Sequence, residues 1–154
     1  MNRNVNAISG RLSLRKPQRD SLELLHRLTE ILSWDKGSSK KSPELATALA
    51  AIRSEFPTVT DFEREFASLC FALATGVGKT RLMGAFIAYL HLEHGINNFF
   101  VMAPNLTIYN KLITDFTPNT RKYVFKGIGE FALNVPYVIT GETYNQKSAV
   151  APGS

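Results

Sequence analysis

The apolar positions of this chain fall into two patterns, one with helical spacing and one of short unbroken runs. Leu22, Leu25, Leu28 and Leu32 recur every three or four residues, and Leu24 and Ile31 widen the stripe. That spacing predicts a helix over 17–33, with Pro17 in its first turn. Ser42-Pro43-Glu44 reads as the start of a second helix, with a cap, a proline and an acid in order. Its face is Leu45, Ala48, Leu49 and Ile52, and it stops before Pro57. Leu82, Phe86, Tyr89 and Leu90 make a broad apolar face on a third helix over 81–92, which ends near Gly95. A fourth runs through Ile108, Leu112 and Phe116 and stops before Pro118.

The unbroken runs carry a different signature. Leu69-Cys70-Phe71-Ala72 and Asn98-Phe99-Phe100-Val101-Met102-Ala103 have the makeup of buried strands. Lys122-Tyr123-Val124-Phe125-Lys126 reads as a short strand. Residues 135–140, with Pro136 inside, read as an edge strand. Strands alternating with helices predict an α/β fold, a mostly parallel sheet flanked by helices, with ligands at the carboxyl ends of the strands. Phe62 and Phe66 are expected to anchor a short acidic helical turn. Residues 34–41 and 58–61 read as loops, and 127–133 is ambiguous. The polar ends, 1–11 and 145–154, are expected to be loosely held.

Composition narrows the class. The chain has 154 residues, 44% hydrophobic and 20% charged, which is ordinary for one globular domain with a real core. A net charge of +5 is compatible with nucleic acid but too small to require it. The one cysteine, Cys70, reads as a small core residue in a reducing compartment. No apolar run reaches the length of a membrane span, and the N-terminus lacks an apolar signal core. A cytoplasmic protein is expected.

The chemistry concentrates in Leu73-Ala74-Thr75-Gly76-Val77-Gly78-Lys79-Thr80. An apolar run, a glycine turn, Lys-Thr and a helix form the P-loop arrangement. Gly76 and Gly78 let the backbone curl round a phosphate, and the turned N–H groups join the following helix N-terminus as an anion nest. Lys79 supplies a positive charge to the β- and γ-phosphates of ATP, and Thr80 offers its hydroxyl to Mg²⁺. The general pattern has glycine at the first position, where this chain has Leu73. His91 and His94 lie three apart without a visible third ligand, so they read as cations at a helix C-terminus.

Three features line up in order: Arg15-Lys16-Pro17-Gln18, Ala74-Thr75-Gly76-Val77-Gly78-Lys79-Thr80, and Val101-Met102-Ala103-Pro104-Asn105. Together they resemble the start of a superfamily 2 DEAD/DEAH-like helicase motor. The resemblance is closest to the type III restriction enzyme Res subunit family, whose P-loop typically reads Met-Ala-Thr-Gly-x-Gly-Lys-Thr. Leu73 takes the Met place. The resemblance covers about residues 12–144 and implies the N-terminal part of a RecA-like ATP-binding domain. It implies that Gln18 reads the adenine edge through paired amide hydrogen bonds. It implies that Thr75, Gly76, Val77, Gly78, Lys79, Thr80 and Arg81 hold ATP and Mg²⁺, with Lys79 and Thr80 catalytic. It implies that Pro104, Asn105 and Thr107 touch the nucleic-acid backbone. Double-stranded DNA and a methyltransferase (modification) subunit are the partners it implies for the parent enzyme.

The family's Asp-Glu motif is missing from this sequence. Downstream of Pro104 the only acids are Asp115, Glu130 and Glu142. An N-terminal portion of a DNA-dependent ATPase is therefore expected, one that binds nucleotide and hydrolyses it poorly. The alternative is a non-catalytic DNA- or partner-binding module that kept the fold and lost the motor. A small-molecule kinase is a third reading, disfavoured by Leu73 and by the lack of an arginine-rich lid.

Overall fold

In the structure, a computed structural model that describes residues 2–32 and 45–144, helix packs on helix among the first four helices. The helices are α1 (Arg3–Arg11), α2 (Lys16–Ile31), α3 (Leu45–Glu55), α4 (Lys79–His94), α5 (Leu106–Phe116) and the single turn α6 (Glu130–Leu133). They fall into two compact units, Met1–Val101 and Met102–Ser154.

The leucine stripe forms α2 as its spacing predicts, with Leu22, Leu25 and Leu28 buried. Leu24, expected to widen that stripe, lies at the surface. Helix α3 packs on α2 and buries Ala48 and Ile52 in one cluster with Leu28 and Phe62. Outside that cluster Arg27 pairs with Glu55 and with Glu30. The expected start of α3 at Ser42-Pro43-Glu44, the 34–41 loop and the tail 145–154 lie outside the described residues. Of the two expected anchors before the glycine turn, Phe62 is buried and Phe66 is exposed.

The polar opening of the chain is a helix, not a loose end. Asn2 caps α1 by accepting from the N–H groups of Asn4 and Val5. Val5 and Ile8, one turn apart, are buried as α1 packs on α4 and α2. Burial of each such side chain stabilises by about 1.5–3 kcal/mol. Asn2 and Asn4 also donate to the two carboxylate oxygens of Glu93 on α4, at 3.1 and 2.6 Å.

In Met102–Ser154, α5 runs over the predicted residues, and Leu112 faces inward. Phe125 is the centre of an aromatic cluster: Phe131 stacks on it at 4.3 Å, and Phe116 and Tyr123 meet it edge-on. The buried Asp115 pairs with Lys111 one turn back, and its carbonyl accepts from Val124 N at 2.8 Å.

The expected α/β fold is not what forms. Among the described residues there is no strand and hence no mostly parallel sheet. The run from Leu69 into the glycine turn, the 98–103 run and the 135–140 run are irregular backbone. Their apolar side chains stay largely at the surface, Phe100 at 89% and Met102 at 79% exposure. Cys70, expected in the core, is exposed. The short strand at 122–126 is instead a series of turns, with Lys126 N donating to Tyr123 O and Ile128 N to Phe125 O. The physical reason lies in what a strand is. Apolar content is local, whereas a ladder needs partners from distant segments. Here those partners are not engaged, and burial is supplied by helix faces.

Candidate functional site

The residues of the glycine turn lead into the start of α4. Gly76 has φ +77° and Gly78 has φ +90°, both left-handed, a region that side chains disfavour. The two glycines serve different ends. A Cβ at Gly76 would meet nothing within 4 Å, so its requirement is conformational. A Cβ at Gly78 would lie 2.6 Å from Gln18 Nε2, so its requirement is also steric.

Gly78 is the N-cap of α4 and brings no side chain to that end. Its carbonyl accepts from Leu82 N at 3.2 Å, the first bond of the helix. Lys79 and Arg81 are exposed in the first turn, and Thr80 between them is half-buried. Thr75 is exposed and Val77 half-buried on the approach. Backbone N–H groups, an ammonium and a hydroxyl therefore stand at one helix N-terminus.

Gln18 joins this site from α2, across sixty positions of sequence. The side chain is 2% exposed. Its Oε1 accepts from Arg15 N at 2.8 Å, and its Nε2 donates to Gly78 O at 2.9 Å. Pro104, Asn105 and Thr107 belong to the other compact unit. There Asn105 caps α5, its Oδ1 accepting from Ile108 N at 3.0 Å, and Pro104 and Thr107 are exposed beside it.

This glycine turn, with Gln18 before it and Asn105 after it, lies inside a stretch that matches a known family. Residues 11–150 match the family model for type III restriction enzyme, res subunit. The chain belongs to that family. No match was found among curated proteins or among solved structures. This res-subunit chain is thus of a helicase-like family, and the site just described is its glycine turn.

The histidines of the res-subunit chain do other work. Among the described residues no group of three His, Cys, Asp or Glu side chains could hold a metal. His91 Nδ1 lies 3.1 Å from Ile96 O at the end of α4. His94 Nε2 lies 3.3 Å from the hydroxyl of the fully buried Tyr89. His26, to which the sequence assigned no role, reaches the same hydroxyl at 2.8 Å, and Thr29 reaches it at 3.0 Å. Burial pushes the Tyr89 phenol up, partly offset by the Thr29 hydrogen bond. The only sequence signal for this cluster was spacing: His26 and Thr29 share one face of α2. No described helix is long and apolar enough to cross a membrane.

Proposed function

We propose that the turn at Gly76–Thr80 binds the polyphosphate of ATP with Mg²⁺, as the nucleotide-binding part of a DNA-dependent ATPase. One observation carries this reading. Two left-handed glycines lead directly into a helix of 16 residues whose first turn carries Lys79 and Thr80 and whose cap has no side chain. The residues fit the group. Left-handed glycines turn successive N–H groups toward one concavity, and a helix start adds partial positive charge. Lys79 would neutralise phosphate charge, and the Thr80 hydroxyl would ligand Mg²⁺. Bound Mg²⁺ would supply charge neutralisation at the phosphates.

Turnover by this chain is expected to be slight, because its sequence contains no Asp-Glu pair to hold the metal and orient water. Family membership supports duplex DNA as the track and a modification subunit as a partner. Contacts from Pro104, Asn105 and Thr107 to a phosphate backbone would be independent of sequence and sensitive to salt.

Isothermal titration with ATP·Mg²⁺ tests the reading. Lys79→Ala should weaken binding at least about tenfold, the loss of one charge-assisted hydrogen bond. Equal binding by variant and wild type would reject it. DNA binding that weakens with salt but ignores both ATP and Lys79→Ala would favour the non-catalytic module instead.

A further inference from the structure

With duplex DNA as the track, the reading given above on which this rests, we infer that the turns at 119–127 form a second DNA-backbone contact, in which Arg121, Lys122 and Lys126 each meet a phosphate. These residues lie outside every motif named so far. Three cations fall within six positions, and all three are exposed. Among the described residues none of them pairs with a carboxylate. The nearby acids are committed elsewhere: Asp115 is buried and paired with Lys111, and Glu130 accepts from Asn134 Nδ2 at 2.9 Å.

The ordinary role for cations just past a helix is to close its C-terminus. Helix α5 ends shortly before these three, but neutral groups already take its last carbonyls. Ile113 O accepts from Thr117 Oγ1 at 2.6 Å, Thr114 O from Thr120 Oγ1 at 2.9 Å, and Asp115 O from Val124 N at 2.8 Å. The cations are therefore not what closes α5. Like charges this close in sequence repel, so without a ligand they work against the fold.

What the fold supplies is a set backbone beneath them. Val124 and Phe125, between the cations, are buried, as are Ile128 and Phe131 just after them. Three turns follow one another: Tyr123 N donates to Thr120 O, Lys126 N to Tyr123 O, and Ile128 N to Phe125 O. Left-handed residues bound the stretch, Asn119 at φ +64° and Gly127 at φ +93°. A polyanion that binds here has little chain to order, which lowers the entropic cost of binding. Because Val124 and Phe125 face inward, the stretch has no apolar side chain of theirs to insert into a bilayer. The major groove admits a helix or a two-stranded ribbon, and 119–127 is neither. Contact therefore falls to phosphates, which are closely and regularly spaced along DNA and carry no sequence information.

The test is affinity for a short mixed-sequence DNA duplex across a series of KCl concentrations. Wild type is compared with Lys122→Gln, with Lys126→Gln, and with the triple variant Arg121→Gln/Lys122→Gln/Lys126→Gln. A charge-matched control, Arg3→Gln/Arg53→Gln/Arg64→Gln, removes three exposed cations from the other compact unit. Each phosphate contact contributes about 0.9 to the slope of log affinity against log salt, so each single variant should flatten the slope by about 0.9 and the triple by about 2.7. The loss should be the same on duplexes of different sequence. The control should keep the wild-type slope. ATP·Mg²⁺ binding by the triple variant should be unchanged, and its Tm should be no lower than that of wild type.

A triple variant with the wild-type slope would overturn the inference. So would a control that flattens the slope as much, because binding would then follow net charge and not this surface. If the triple variant melts early, the two single variants carry the same test. A wild type that binds no duplex at low salt would remove both the inference and DNA as the track. ATP binding that still depends on Lys79 would then leave the phosphate reading of the glycine turn standing.

Discussion

Helices α4 and α5 begin in opposite ways. Helix α5 is closed by Asn105, whose side chain takes the N–H of Ile108. Helix α4 is opened by Gly78, which has no side chain to give. Helix α1 follows the first manner, with Asn2 at its cap. A capped start satisfies orphan donors with its own side chain; a glycine start brings no side chain to do so. The contrast is between a start closed by a side chain and one that has no side chain to close it. At that start Gln18 of α2 donates to the Gly78 carbonyl.

The strongest way to break this contrast is Gly78→Ala. A non-glycine residue at φ +90° is strained, and its Cβ would run into Gln18. The expected result is a loss of about 1–3 kcal/mol in urea unfolding, together with nucleotide affinity down about tenfold or more. A neutral alanine would show that α4 does not depend on an open start. Asn105→Ala sharpens the other half. It should lower stability by about 1 kcal/mol and leave ATP binding as it was. Asn105→Ser should recover most of the stability. If Asn105→Ala instead left melting unchanged and abolished salt-sensitive DNA binding, the asparagine would matter for a ligand and not for the cap.

The smallest effect concerns the cap of α1. Burial works against the charge on Glu93, but the amides of Asn4 and Asn2, with the charges of His26 and His94, outweigh it and hold the carboxyl below its ordinary range. A carboxyl lowered in the folded state stabilises fully above its unfolded value, and the gain disappears as pH falls through the folded one. Acid unfolding of wild type should therefore show a carboxylate-range decline that Glu93→Gln shifts or flattens. An identical acid limb in both proteins would assign that decline to other groups.

What could be read from the sequence followed how local the information was. The leucines of α2 and the Leu112 face of α5 are set by spacing within one helix, and both helices appear where the spacing puts them. The glycines at 76 and 78 mark left-handed backbone for the same local reason. Helix α1 is polar overall, and its signal is only Asn2 followed by Val5 and Ile8. The sheet was over-read, because Phe99, Phe100 and Val101 announce hydrophobicity without saying which segment will pair with them. Gln18 was singled out from the sequence as a reader of the adenine edge. Its destination at Gly78 is a contact across sixty positions, and no pattern along the chain encodes that.

Cys70 has a practical consequence. It is the sole thiol of the sequence, it faces water, and it sits on the stretch that leads into Gly76. A maleimide dye would therefore label one spot only, on the doorstep of the glycine turn. Its brightness could track ligand arrival there without any engineered handle.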